Sequence, residues 1–473
     1  MTSRRSPLVL LALLTLPAGA ARSQTLQEAL AQTYANNPSL QAARAQLRVV
    51  DENVPQALAG WRPTVSLSGS GGYTEGTARA RVGDGQGGQI IGYNDFSRNT
   101  LSLAATVNQP LYRGGRTVAS TKRAENQVLA QRARVLSAEQ TVLQQGVEAY
   151  VNVIRFQEEV RLNVNNVQVL QRQLDATNER FRVGEITRTD VAQAESRLAA
   201  ARSAREDAEG QLQIARTTFQ RVTGIAPSRL TAPQPLRLPV RSAQEAAQVA
   251  AVNNPNVVAA LFDEAAARDF IDVQLAALLP QAGVQAQAFR NDNSSADGTR
   301  VTGGALTATL SVPLYQGGAE YAAVRQARQD ASRLRQLVDD ARRTAVQQSS
   351  QAWETLISAR AVVEANRAQI RAAEVALDGV QREAVVGSRT TLDVLNAEQE
   401  LLNARVTLIR ALAAVVTGSY SIATSIGRLT AQDLNLPVPR YDMTAYYREV
   451  RNRWAGAGDY SAQAQSISSE PVR

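Results

Sequence analysis

The chain has 473 residues, 44% hydrophobic and 20% charged, proportions that exclude a wholly disordered protein. It holds no cysteine and no histidine, which removes disulfides, thiolate and imidazole metal ligands, cysteine nucleophiles and any Ser-His-Asp arrangement. The formal charge is +8, from 51 basic and 43 acidic residues. Only Lys122 is a lysine, and the arginines lie among glutamates along helical segments, so a solvated surface explains them better than nucleic-acid binding. Aromatics make up 5%, and a chain rich in Ala, Val, Leu, Gln and Arg favours helices. Nothing in this inventory calls for a cofactor.

Residues 1–23 read as a secretory signal segment. Arg4 and Arg5 supply the positive start, Leu8 to Leu16 the apolar stretch, and Ala18-Gly19-Ala20 or Ala21-Arg22-Ser23 the small residues before cleavage. The apolar run is too short to span a membrane, and no cysteine follows it for a lipid anchor. Loss of Arg4, Arg5 and Arg22 takes the charge from +8 to +5. An exported protein is expected, and no later stretch reads as a membrane helix.

The remainder is written twice. Asn37-Pro38 recurs as Asn254-Pro255 and Pro63 as Pro280, both 217 apart. Pro110-Leu-Tyr-Arg-Gly-Gly115 recurs as Pro313-Leu-Tyr-Gln-Gly-Gly318, now 203 apart. That offset holds for Gly184/Gly387, Asp190/Asp393, Glu195/Glu398, Arg202/Arg405 and Gly224/Gly427. The two repeats cover 24–227 and 242–430, joined by a linker at 228–241. They differ by 14 residues, placed in the loop between about Tyr73 and Thr100.

Each repeat opens with a helical segment, Thr25 to Gly60 or Ser242 to Leu279, broken by its Asn-Pro. Alternating polar and apolar residues then predict a hairpin, with strands at about 64–73 and 100–109 and, in the second copy, about 281–290 and 304–312. The Gly83–Gly88 run between the first pair reads as a hairpin loop, since no lysine or helix follows as a phosphate loop requires. Proline-free helices are predicted at about 115–182 and 318–385, each a rod on the order of 100 Å. Apolar residues step by seven along the first (Val153, Val160, Val167, Leu174, Phe181) and, 203 residues on, along the second (Leu356, Val363, Ile370, Leu377, Ala384). A second seam of Leu129, Leu136, Leu143 and Tyr150 runs beside the first, and two seams suit a helix with neighbours on both sides, the pattern of a coiled-coil wall. Gly184 and Gly387 stop the rods. Thr187 and Thr390 then cap return helices at about 188–223 and 391–427, with an acid three residues on. Residues 431–473 form a C-terminal segment in which Tyr441, Tyr446, Tyr447 and Trp454 could dock a short helix, with disorder expected from about 456.

Four amphipathic strands cannot close a barrel, and open sheet edges are not tolerated in lipid. Two chains would give eight strands, filled by their own side chains, whereas three give twelve and leave an aqueous lumen. A barrel carrying long helices is a conduit.

The duplicated plan, the Pro-Leu-Tyr-x-Gly-Gly junctions and the Val-Gly-Ser-Arg-Thr-Thr-Leu-Asp-Val-Leu-Asn-Ala-Glu run at 386–398 resemble the TolC family of outer-membrane efflux and secretion channels. The resemblance covers about 25–437. It implies a mainly α fold with a small β part: duplicated antiparallel coiled-coil helices plus four transmembrane strands per chain. A homotrimer would carry a twelve-stranded β-barrel in outer-membrane lipid and an α-helical periplasmic barrel. The implied function is the exit duct of a tripartite efflux pump, with a periplasmic adaptor and an inner-membrane pump of the RND, ABC or MFS class as partners. A type I protein-secretion duct is the alternative, and an exported structural coiled coil without a channel is the alternative of another class. Carried over residue by residue, the periplasmic gate would involve Asp190, Asp393, Arg389, Thr189 and Asn396, with tip turns at Gly184 and Gly387. The strand-to-helix junctions would be Pro110, Gly114, Gly115, Pro313, Gly317 and Gly318. Asn396 stands where the family pattern has a second acid, and Ala384 where it has a tip tyrosine. Both departures imply a weaker acidic ring and a different closed-state bonding network. Asp190 and Asp393 also read as helix caps, a role compatible with the gate.

Overall fold

The computed structural model describes residues 24–83 and 87–460. The signal segment at 1–23 and residues 461–473 of the expected disordered tail lie outside the described residues, as do residues 84–86 of the first hairpin. The fold is mainly α with a small antiparallel sheet. The chain divides into two compact units, and each draws on both repeats.

The unit formed by residues up to 39, 139–246 and 349–438 is helical. Helix α1 (Leu26–Asn36) starts at a capping box in which Glu28 N–H donates to Thr25 Oγ1 (3.2 Å) and Thr25 N–H to Glu28 Oε2 (3.0 Å). The Asn-Pro motif ends α1 and starts α2 (Pro38–Asp51). Asn37 Oδ1 accepts Ser39 N–H at 2.9 Å, Pro38 sits where an N–H would go unused, and Asn37 Nδ2 donates to Val222 O at 3.1 Å. The remaining long helices are α4 (Arg116–Arg182), α5 (Arg188–Thr223), α8 (Ala319–Val385) and α9 (Thr391–Ser425), while α6 (Ala243–Asn253) opens the second copy. Gly184 and Gly387 turn the chain at φ +84° and +80°, where a Cβ would be strained. Along the heptad stripes Val153, Leu356 and Val363 are buried, whereas Phe181 near the turn is exposed. Tyr150 anchors this unit. Its hydroxyl donates toward Gln24 O (2.8 Å) or Thr231 O (2.7 Å) and accepts Thr231 N–H (3.1 Å), and its ring meets Phe219. By length and composition α9 could cross a membrane, contrary to the sequence expectation. Its apolar residues have another use: Val416, Tyr420, Ile422 and Ala423 are buried in the helical core, and Ser419 Oγ accepts Leu236 N–H at 2.9 Å.

The second unit, residues 40–138, 247–348 and 439–460, holds α3 (Asn53–Leu58), α7 (Pro255–Leu275), the sheet and the C-terminal helix α10 (Ala445–Val450). Asn254 repeats the Asn-Pro cap, its Oδ1 accepting Asn256 N–H at 2.9 Å. The sheet is a four-stranded antiparallel meander, β1 (Thr64–Gly83), β2 (Gln89–Arg113), β3 (Gln281–Asp292) and β4 (Arg300–Ser311), so that one pairing, β2 with β3, joins the two repeats. The first hairpin departs from the ten-residue strands that alternation suggests. Its ladder has 20 paired positions against 12 in the second, and its turn five residues against seven. Eight more residues on each strand, less two in the turn, account for the 14 extra residues, so the insertion extends the ladder instead of widening a loop. Pro110 lies inside β2 at a register shift between 110 and 112, which accommodates its missing N–H; Pro313 follows the end of β4. Gly114 and Gly115 take φ +62° and +82°, and Gly317 and Gly318 +72° and +87°. A Cβ at Gly114 would also meet Ala276 O at 2.6 Å.

The C-terminal segment docks on this unit. Tyr447 packs on Val54, Ala124 and Val128, its hydroxyl 3.4 Å from Glu125, and Tyr446 donates to Glu52 at 2.7 Å. Arg44 and Arg62 stack on Tyr441 and Trp454 at 5.0 and 5.1 Å. Within the tail expected to be disordered, residues 456–460 are described, and the Tyr460 ring lies 3.7 Å from the Arg453 guanidinium.

Asp51, at the end of α2, is fully buried, and neither carboxylate oxygen has a hydrogen-bond partner. Burial pushes its carboxyl up to about 7; Arg132 and Arg48 pull it down and Glu52 pushes it further up. An unfolded aspartate titrates near 3.9, so between about 4 and 7 the folded chain holds a proton that the unfolded chain lacks. Stability therefore falls as pH rises through that window. Asp51→Asn mimics the protonated form. It should flatten this dependence and raise the thermal midpoint above pH 7, as measured by circular dichroism in detergent at a series of pH values.

Candidate functional site

Two surfaces concentrate the unusual chemistry. The first is the sheet, whose register separates two faces. One carries Val65 and Leu67 of β1, Leu101, Leu103 and Val107 of β2, Val284 and Ala286 of β3, and Leu306 and Leu310 of β4. Val65, Leu67, Leu306 and Leu310 are 71–81% exposed, an apolar patch that water does not tolerate on a monomeric soluble protein. The other face carries Ser66, Ser68, Ser102, Thr106, Gln285, Gln287, Thr307 and Thr309, mainly hydroxyls and amides, with Arg98 and Arg113 toward its two ends. From Ala282 to Ala288 the apolar column spans six residues of β3, about 20 Å along the strand and about 16 Å once a barrel tilt of about 40° is applied, and Arg290 and Asp292 continue it as charged residues. At its foot the junction motif adds Leu111, Tyr112, Leu314 and Tyr315, all exposed, with Tyr112 paired to Ala282. Sequence reading assigned this motif to the strand-to-helix turn. It missed that the Leu-Tyr pairs leave two tyrosines exposed beside the apolar strands, the residue type enriched at membrane–water boundaries.

The second surface is the pair of helix tips. Thr187 and Thr390 are N-caps with matching capping boxes. Thr187 N–H and Oγ1–H donate to Asp190 Oδ2 at 3.0 and 2.7 Å, and Thr390 N–H and Oγ1–H to Asp393 Oδ2 at 3.0 and 2.8 Å. These bonds favour the ionised carboxylate. The Thr187 hydroxyl, then its N–H, then Arg180 hold Asp190 below the usual range. The Thr390 N–H, then its hydroxyl, then Arg389 do the same for Asp393. The other named residues divide. Arg389 bonds Glu383 Oε2 through Nε at 2.9 Å while still facing Asp393. Thr189 is exposed in the first turn of α5. Asn396 Oδ1 accepts from Arg197 Nη2 at 2.9 Å, a bond between α9 and α5. Leu395 packs beside it with Leu170, Ala194 and Leu198. Sequence reading missed Arg197 and the tip pair Arg180–Glu185 (2.9 Å); neither repeats at the 203 offset. Ala384, at the expected tyrosine position, is buried. Among the described residues no group of three or more Asp or Glu is placed to hold a metal ion.

The depressed carboxyls set a sign. Their contribution is present above the unfolded pKa, near 3.9, and is lost as pH falls through the lower folded values. Hydrogen exchange of the peptides spanning 186–195 and 389–398 should therefore accelerate, relative to intrinsic rates, below about pH 4. Thr187→Ala with Thr390→Ala should abolish that acid dependence; its persistence would mean the caps do not tune these carboxyls.

Comparison with known proteins gives a consistent picture. The family model described as "Outer membrane efflux protein" matches residues 29–225 and again 246–428. The outer membrane efflux protein BepC of Brucella suis is 35% identical over 451 residues, 95% of each chain. The outer membrane protein TolC of Escherichia coli is 23% identical over 87% of this chain and 84% of its own. A solved structure of CusC, described in terms of folding and transmembrane channel formation, superimposes with a TM-score of 0.74 at 16% identity, covering 85% of this chain and 91% of that one.

Proposed function

This chain belongs to the outer membrane efflux protein family and is an exit duct of the outer membrane, and we propose that it works as a homotrimer whose three sheets close one twelve-stranded barrel. The observation that carries this reading is the sheet: one face with an exposed apolar band bounded by the Arg290, Asp292 and Arg300 cluster, and two terminal strands, β1 and β4, each with an edge unpaired among the described residues. Lipid offers those edges no hydrogen bonds, so β4 of one copy must pair with β1 of the next. Twelve strands leave a water-filled lumen, and the face rich in Ser, Thr and Gln lines it. Transport through such a lumen is passive. Directionality comes from a periplasmic adaptor and an inner-membrane pump of the RND, ABC or MFS class, which deliver substrate to the helical end.

The tips form the periplasmic constriction in this reading. Gly184 and Gly387 make the turns, and Asp190 and Asp393 place six carboxylates around the threefold axis. Both are ionised at neutral pH, and the Thr187 and Thr390 bonds oppose the proton uptake that mutual repulsion favours, so the ring attracts cations. Arg389 and Thr189 surround the ring. Asn396 contributes an amide bonded to Arg197, which weakens the acid ring beyond simple loss of one carboxylate.

Native mass spectrometry of the mature chain in mild detergent should give a trimer; a stable monomer or dimer would leave the edges unexplained. In planar bilayers, Asp190→Asn with Asp393→Asn should reduce cation selectivity and relieve block by divalent cations while leaving the trimer intact. Unchanged selectivity would confine these aspartates to capping.

A further inference from the structure

On its apolar face, the second hairpin changes character at a single level. Ala286 pairs with Leu306 and Ala288 with Gly304, but the next same-face pairs are Arg290 with Thr302 and Asp292 with Arg300. Asp292 bridges both arginines: Oδ2 accepts Arg290 Nε at 3.0 Å and Nη2 at 2.9 Å, and Oδ1 accepts Arg300 Nε at 2.7 Å. One carboxylate thus holds two guanidinia in place and leaves one positive charge uncompensated. The arginine side chains remain 43% and 62% exposed, while Asp292 is 16% exposed. Across the ladder, Leu103 faces Arg290 and Leu101 faces Asp292. The cluster lies at the turn end of the hairpin, away from the strand ends that continue into α7 and α8. From Ala282 at the foot to Arg290 is eight residues, about 21 Å of membrane normal.

We propose that Arg290, Asp292 and Arg300 form a seat for the phosphate group of an anionic glycolipid in the outer leaflet. The proposal rests on the reading of the apolar face as lipid-facing. Three features fit this occupant. The cationic level is where headgroups begin, and the neighbouring leucines meet acyl chains at the same height. Guanidinium forks bind phosphate in a bidentate way, which Asp292 pre-orients by fixing the Nε sides. The surplus charge is positive, and headgroup phosphate is negative.

The test uses the full mature chain in neutral detergent, mixed with a diphosphorylated glucosamine-disaccharide glycolipid or the same lipid dephosphorylated, and reads bound lipid by native mass spectrometry. Wild type should retain the phosphorylated lipid at least about tenfold better. Arg290→Gln with Arg300→Gln should lower retention to the dephosphorylated level, whereas Arg79→Gln with Arg81→Gln, farther along the first hairpin, should not. Arg290→Lys with Arg300→Lys keeps the charge but removes the fork, and should give an intermediate loss. It also serves as the variant if the glutamine pair fails to assemble. Equal retention of the two lipids by wild type, or undiminished retention by the arginine variants, would overturn the seat. Displacement by millimolar inorganic phosphate would reassign it to a free anion and overturn the lipid assignment. Stoichiometry is read in the same spectra, so a failed trimer is distinguished from a failed lipid site.

Discussion

The unpaired edge is the constraint on which the rest depends. A backbone N–H or C=O in lipid has no water to turn to, so each must find a partner in protein. One chain supplies four strands and ends with β1 and β4 open. The β2–β3 ladder shows how copies can be joined: it links strands from two repeats, Leu101 to Asp292 and Arg113 to Gln281, with one irregularity at Pro110. A β4–β1 pairing between chains would be the same kind of junction made without a covalent linker. The duplication halves the number of chains that closure requires, and so explains why a single polypeptide carries the motif twice.

Duplication also frees the copies to diverge. The first hairpin gained paired rungs that the second lacks, and these rise past Arg290 and Asp292 into positions such as Glu75, Arg79 and Asp95, where apolar alternation has ended. The second repeat diverged along α8, where Val375 and Val385 are 75% and 87% exposed at positions that hold Arg172 and Arg182 in the first repeat. Exposed valines on a coiled-coil helix call for another helix. The surface that each repeat leaves unfinished differs, as expected when the two face different neighbours in an assembly.

What could be read from sequence was whatever is local. Helix stops at Gly184 and Gly387, caps at Thr187 and Thr390, and the Asn-Pro breaks each rest on chemistry within four residues, and each recurs at a fixed offset. The strand ends were not legible. From Gly71 to Gly83 glycines and arginines interrupt the alternation, and the segment stays in the ladder because β2 pairs with it rung by rung, a context-dependent gain that propensity does not register. The Arg197–Asn396 bond spans 199 residues and breaks the repeat symmetry, so the comparison that revealed the architecture concealed it. The second face of the Pro-Leu-Tyr motif was hidden for another reason. Its glycines explained the turn so completely that the exposed Leu-Tyr side chains seemed to need no account.

Charge is distributed with the same economy. The polar face of the sheet offers solutes hydroxyls and amides, which hydrogen-bond cations, anions and neutral molecules without preference. Most fixed charges on the sheet, including Arg79, Arg290, Asp292 and Arg300, lie on the opposite face, while Arg98 and Arg113 share the polar one. The helix tips hold carboxylates whose ionisation is favoured by the bonds that cap their helices. The cap and the charge are not separable roles. A threonine hydroxyl and N–H aimed at one carboxylate oxygen both start the helix and keep the proton off, so the residue that ends the turn also fixes the sign of the field around it. In the proposed trimer, a lumen lined mainly by hydroxyls and amides would leave most discrimination by charge to these carboxylates.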